Sequence, residues 1–341
     1  MTWDSEVERV VGAPGRWLAS DAAGPVGRAL DHDGRRRLQE RTDQMRVANA
    51  PCSWGVLEFD GMEKSAPFAQ VLDEIASTGY AGTELGDWGF MPTDPPRLSD
   101  ELAKRHLAML GAFVPVRLAD PAAHGPGLET AVRTARLLAA TGEAPLIVLA
   151  DDCGRDRMRV ARAGRIIRDD SLSPEQWAVF ARGCDDVARA VRDVTGLRTV
   201  FHPHCASFVE TPWEVDELMA RTDPSLVGLC VDTGHLSFAG GDPIDVYRRH
   251  ASRVWHVHFK DFEPNVLARA RGASWDYFET MRHGVFCELG RGNVDFPAML
   301  AELRAAGYDD WIVVEQDVLP GMGSPEQSAR RNREYLRGLG L

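Results

Sequence analysis

From Arg46 onward, short apolar runs alternate with longer stretches in which apolar residues recur every three or four positions. The short runs fall at 46–54 (RVANAPCSW), 80–86 (YAGTELG), 107–116 (LAMLGAFVPV), 145–150 (PLIVLA), 198–204 (RTVFHPH), 226–232 (LVGLCVD), 254–259 (VWHVHF) and 311–316 (WIVVEQ). Between them lie segments of helical period such as FAQVLDEIAST, ETAVRTARLLAATG, PEQWAVFARGCDDVARAVRDVTG and FPAMLAELRAAG. Helix punctuation agrees with that reading: Ser173-Pro174 opens one segment and Gly196 closes it, while Gly79, Gly142 and Gly307 stand where others should stop. Strand followed by helix, eight times over, predicts an α/β chain closed into a (β/α)8 TIM barrel. A doubly wound open sheet is the competing architecture, but no G-x-G-x-x-G opens a helix after the first run.

The first 44 residues break this pattern. Turn-forming GAPGRW and DAAGPVG precede the charge-dense DHDGRRRLQERTDQ, so regular structure is weakly specified there. The expected division is an N-terminal extension over 1–44, either a flexible arm or the product of a start assigned upstream of Met45, and a catalytic barrel over 45–341.

Composition narrows the partners. With 44% hydrophobic residues the chain can build a sizeable core, and a formal net charge of -12 opposes binding to a phosphate backbone. No basic stripe interleaved with aromatics overrides that charge, so nucleic acid is not expected as a partner. No apolar run is long enough for a membrane span, and the N-terminus lacks the apolar stretch of a signal peptide. The six cysteines are scattered without a C-x-x-C pair, as reduced thiols would be. A cytoplasmic location is expected, and a homo-oligomer is compatible with everything above.

In a barrel of this kind the chemistry sits at the C-terminal ends of the strands. There the chain places His202 and His204 after the fifth run, Asp232 and then His235 after the sixth, His256 and His258 in the seventh, and Glu315 in the eighth. Residues two apart on a strand share a face, so each H-x-H pair can aim both imidazoles into the barrel. Six of the ten histidines lie between His202 and His258. A buried polar group without a partner costs about 1–3 kcal/mol, so the clustering argues for a shared use. Imidazoles and carboxylates converging from four adjacent strands suit a divalent ion: manganese or cobalt foremost, with zinc, iron or magnesium also admitted. Glu84, Trp54, Asp261 and His256 are the expected substrate contacts, Lys260 a donor to substrate. Glu58 and Glu288 are expected in solvated loops.

These motifs, GTELG, FHPHCAS, TDPSLVGLCVDTGH, VWHVHFKD and WIVVEQD, resemble those of the xylose isomerase-like barrels, which include sugar isomerases, epimerases and endonuclease relatives. Within that superfamily they are most similar to the inosose dehydratase branch. The resemblance implies His202, Asp232, His258 and Glu315 as metal ligands. It also implies a histidine where most of the superfamily carries a glutamate, after the fifth strand. With two carboxylates instead of three against a dication, the ion would be a stronger Lewis acid. His204 then becomes the candidate base, and His235 or Lys260 the acid. The implied reaction is dehydration of a cyclic polyhydroxy ketone through a metal-stabilised enediolate, by a hydro-lyase acting on a small polyol ketone or sugar. A sugar or sugar-phosphate isomerase or epimerase is the alternative, and a non-catalytic sugar- or metal-binding barrel a third. The sequence ELGRGNVDF departs from the dehydratase pattern in a loop expected to border the substrate.

Overall fold

The computed structural model describes residues 45–56, 66–142, 144–319 and 321–341. The expectations for the 1–44 extension and for Glu58 fall outside these residues. The eight apolar runs form the staves of one parallel barrel: Arg46–Asn49, Gly82–Thr83, Ala108–Val116 in two segments, Leu146–Asp151, Thr199–Phe201, Val227–Asp232, Val254–Phe259 and Trp311–Val314. The eighth stave returns to pair with the first, Arg46 opposite Trp311 and Asn49 opposite Val314.

The third stave closes the ring by bending at Leu110. Its first segment, Ala108–Met109, pairs with the second stave, and its second, Gly111–Val116, pairs with the fourth. At the bend the Leu110 N–H donates to the Thr83 carbonyl, while its own carbonyl accepts from the Leu146 N–H. One residue thus holds two neighbours, which satisfies its backbone groups and leaves no open sheet edge there.

Apolar side chains fill the barrel from below. Ala48, Ala50, Leu110, Trp311 and Val313 form one buried cluster, and Leu146, Val148, Val200 and Cys230 another. Above them the inward positions turn polar. Outside, a larger apolar layer joins staves to helices, with Leu72, Ile75, Phe180, Phe296 and Leu300 at 0–1% exposure. The helix Pro174–Thr195 carries the signals its sequence advertises: Ser173 and Gln176 form a reciprocal capping box, and Gly196 ends the helix at φ 75°. Glu288 is a correction to the sequence reading. It is buried and accepts from Ser328 Oγ at 3.0 Å and Arg331 Nε at 2.8 Å, which fastens the C-terminal helix to the barrel. Among the described residues no helix is long and apolar enough to cross a membrane.

Candidate metal centre and active site

The fifth stave ends at Phe201, so His202 and His204 project from the loop beyond it and not from regular strand. They converge nonetheless, with ring centroids 5.6 Å apart. A tight turn replaces strand alternation there: the His204 N–H donates to the Val209 carbonyl, and Ala206 sits at φ 63°. Behind this turn lies a fully buried ion pair. Arg159 Nη1 meets Glu214 Oε1 at 2.8 Å, and Arg159 Nε donates to the Ser207 carbonyl at 2.6 Å. The loop's backbone carbonyl is therefore anchored by a cation that has no water to turn to.

Asp232 does two jobs. Its Oδ1 accepts from the His235 N–H at 2.7 Å, capping the short helix Thr233–Phe238, which leaves Oδ2 directed elsewhere. That second oxygen stands 3.5 Å from His202 Nε2 and 3.8 Å from His258 Nδ1, and His258 Nδ1 is 3.3 Å from Glu315 Oε1. One ligand atom from each of His202, Asp232, His258 and Glu315 lies within 4.8 Å of the others, all four residues being buried.

The polar atoms here test whether a cation fits. Asp232 Oδ2 and His258 Nδ1, which face each other across the cluster, are buried without a hydrogen-bond partner. Buried polar atoms are almost always paired, so orphans on two facing side chains need a common cause. A divalent ion accepting lone pairs from imidazole and carboxylate supplies one, and the residues present fit it. Two other groupings compete less well. Cys230 with His202 and His258 would leave Asp232 Oδ2, the orphaned carboxylate oxygen beside both imidazoles, unused. Glu84 with His256 and His258 is already satisfied internally: His256 Nε2 lies 2.7 Å and His258 Nε2 3.0 Å from Glu84 Oε1. Burial works to raise the Glu84 carboxyl, but the two imidazoles outweigh it and hold the carboxyl at about 2.

Over the ligand cluster opens a cavity whose lining includes Glu84, His202, His204, Lys260 and Glu315. His204 Nδ1 is 2.7 Å from the Cys205 carbonyl oxygen, and burial followed by the neighbouring His202 and Lys260 charges pushes its pKa down to about 3. It is a neutral imidazole. Lys260 reaches in from beyond the seventh stave, its Nζ 3.0 Å from Glu315 Oε2 and 3.3 Å from both oxygens of Asp317. Burial lowers the Lys260 pKa, but Asp317 and Glu315 more than reverse this and keep the ammonium charged. Gly234 makes room for it, since a Cβ there would overlap the lysine stem.

His235 stands behind Lys260, outside the cavity lining. Its Nε2 is 3.2 Å from Lys260 Nζ and its Nδ1 3.3 Å from the Cys205 N–H, so both nitrogens face donors. Burial, and then its neighbours His204 and Lys260, hold it well below the usual histidine range. Of the two acids the sequence suggested, Lys260 is the one that faces the cavity.

Three expected substrate contacts lie elsewhere. Asp261 is turned away: its carboxylate accepts from the backbone N–H groups of Phe262, Gly290, Gly292 and Val294. The same contacts pull the ELGRGNVDF loop off the cavity, since the antiparallel pairing of Asp261–Phe262 with Phe286–Cys287 redirects the chain. Trp54 is core packing, and its Nε1–H donates to Glu74 Oε2 at 2.6 Å. His256 lies behind Glu84, apart from the cavity lining. Conversely, Asp317, Asp87, Phe113, Cys52 and Cys153 line the cavity without having been singled out. Asp317 alone had a readable signal, two residues past Glu315 in the same alternation.

Residues 72–339 match the family model of the xylose isomerase-like TIM barrel. The chain is 31% identical over 304 residues to inosose dehydratase of Geobacillus kaustophilus (strain HTA426), covering 89% of this chain and 97% of that one. It is 32% identical over 295 residues to the rhizopine catabolism protein MocC of Rhizobium meliloti, covering 86% and 87% respectively. Among solved structures, that of the IolI protein with a binding zinc atom superposes with a TM-score of 0.61 at 15% identity, covering 87% of this chain and 98% of that one.

Proposed function

The chain belongs to the xylose isomerase-like TIM barrel family, and we propose that within it the protein is a metal-dependent hydro-lyase that dehydrates a cyclic polyhydroxy ketone, as its inosose dehydratase relatives are named for doing. His202, Asp232, His258 and Glu315 are the residues that hold the divalent ion, and the mixed nitrogen and oxygen donors suit manganese, cobalt or zinc. Bound there, such an ion supplies Lewis acidity that polarises a ketone and acidifies the adjacent C–H.

The observation that carries the reading is His204. A carbonyl oxygen can only accept, so the 2.7 Å contact to Cys205 requires the proton on Nδ1 and leaves the lone pair on Nε2. A buried neutral imidazole in the cavity wall, beside a ligand cluster and not itself a ligand, is placed to take a proton from carbon. The electron pair it releases expels the hydroxyl of the next carbon. That hydroxyl leaves as water with a proton from Lys260, and the enol formed relaxes to a second ketone.

The cavity's charge supports an unphosphorylated substrate. Among its described lining residues are the carboxylates Glu84, Asp87, Glu315 and Asp317 against the single cation Lys260, which is already engaged by two of them. Among the described lining residues a phosphate dianion finds no uncommitted side-chain cation and meets carboxylate repulsion instead.

Incubating the protein and Mn2+ with 2-keto-myo-inositol should yield a diketone lighter by one water, detected by mass spectrometry. An isomer of unchanged mass, or bound metal without turnover, would overturn the reading.

A further inference from the structure

The ligand cluster has a partner on the far side of the barrel that the proposed reaction does not use. Glu84 arrives just past the second stave, 174 residues from His258 in sequence, and its Oε1 lies between two imidazoles of the seventh stave. A carboxylate oxygen is acceptor only, so the 3.0 Å approach of His258 Nε2 fixes a proton on that nitrogen. The other nitrogen, Nδ1, is the one facing Asp232 and Glu315, and it is among the buried atoms without a partner. His256 donates to the same oxygen from 2.7 Å, and at 3% side-chain exposure it has no competing water. Two donors on one oxygen hold the carboxylate against rotation.

We infer that Glu84 is a positioning residue, which through its hydrogen bond to His258 Nε2 presents Nδ1 as the metal-ligating atom, with His256 bracing Glu84 from the other side. The inference rests on the metal centre proposed above. It assigns Glu84 to orienting a ligand, where the sequence suggested contact with substrate. Outer partners of metal-ligating histidines typically contribute about 10–100-fold in metal affinity, through ring orientation and lone-pair placement.

The test uses metal binding, not turnover. Affinity for Mn2+ is measured by competition with a chromophoric chelator for the wild-type chain, Glu84→Leu and Glu84→Gln, with folding of each checked by circular dichroism. The leucine variant should lose about 10–100-fold in affinity. Glutamine keeps an acceptor oxygen at the same place, and should remain within a few-fold of wild type even if the leucine variant fails to fold. Long-range nitrogen NMR of the Zn2+-loaded chain should find the His258 proton on Nε2, and that single pattern should become mixed in Glu84→Leu. Equal affinity in the leucine variant, a loss in the glutamine variant as large as in the leucine one, or a His258 proton on Nδ1 would overturn the inference while leaving the metal centre standing. A wild-type chain that binds no Mn2+ would instead defeat the reading beneath it. Two equivalents bound per chain would make Glu84, His256 and His258 a second ion site and overturn the positioning role.

Discussion

The Nδ1 of His204 and the backbone carbonyl oxygen of Cys205 are 2.7 Å apart, so the next residue in the chain dictates which nitrogen of the imidazole stays bare. Replacing His204 by glutamine removes the proposed base and leaves the four proposed ligands untouched. Turnover should fall by about 10²–10⁴-fold, the usual contribution of a general base. Metal content, measured by elemental analysis on the purified variant, should match wild type. A variant that loses its metal along with its activity would show His204 to be a ligand instead.

Asp232→Asn separates the two jobs of that residue. The amide oxygen can still cap the helix at the His235 N–H, whereas the charge beside His202 and His258 is gone. A ligand at 100 times its dissociation constant stabilises the folded state by about 2.7 kcal/mol, so Mn2+ should raise the wild-type melting temperature by a few degrees. Exhaustive chelation should abolish both that increment and turnover, with Mn2+ or Co2+ restoring them. Asp232→Asn should melt at the same temperature with and without Mn2+. A metal-dependent rise retained by the variant would remove Asp232 from the ligand set.

Asp261 is a fastener for the Gly290–Val294 loop, and its loss should appear in stability and not in chemistry. Asp261→Ala strands four backbone N–H groups, and Gly292→Ala drives a methyl into the Phe262 carbonyl and the Asp261 carboxylate. Each should lower the unfolding free energy by about 3 kcal/mol, the scale of losing buried hydrogen bonds or overpacking a tight site. Urea titration reads that loss. Since the cavity lining includes none of residues 290–294, kcat and KM of the surviving folded protein should stay within a few-fold of wild type. A large kcat defect with unchanged stability would return Asp261 to the active site.

The barrel was legible because each stave buries an apolar run whose length and spacing survive in the sequence, and because Ser173, Pro174 and Gly196 mark a helix by local chemistry alone. The convergence of four side chains was legible for a related reason. His202, Asp232, His258 and Glu315 all sit at strand ends, and a closed barrel brings strand ends together whatever the loops do. What failed to show was anything set by direction instead of position. Asp261 follows the seventh stave by two residues, just as a cavity residue would, but a short antiparallel hairpin that no periodicity announces turns it toward backbone donors. Glu84 could not be assigned to His258 because the two meet across the barrel axis, a distance in sequence over which only the finished fold decides neighbours. Glu288 escaped the sequence reading for the complementary reason: its partner Arg331 belongs to a helix whose docking is invisible until the barrel is complete, as is that of the helix whose Glu74 settles Trp54 into packing and not the pocket wall.

The turn bearing His204 also carries a titratable brace. Glu210 is buried, accepts from the Gly164 N–H at 2.6 Å and the Ala206 N–H at 2.8 Å, and thereby supports Ala206 in its left-handed conformation. Burial raises its pKa to about 7 from an ordinary 4.5, against the opposing pull of Arg159. The folded state therefore holds this proton more tightly than the unfolded chain does. Its contribution to stability is complete below pH 4.5 and is lost as pH rises through about 7. A shift of that size corresponds to about 3 kcal/mol. Between pH 5 and pH 8 the wild-type unfolding free energy should fall by most of that amount more than that of Glu210→Gln, whose amide stays neutral throughout. Urea unfolding of both proteins at the two pH values measures the difference. Parallel losses in the two would mean that Glu210 titrates alike in the folded and unfolded chains, with Arg159 and the two backbone donors stabilising its carboxylate enough to offset burial.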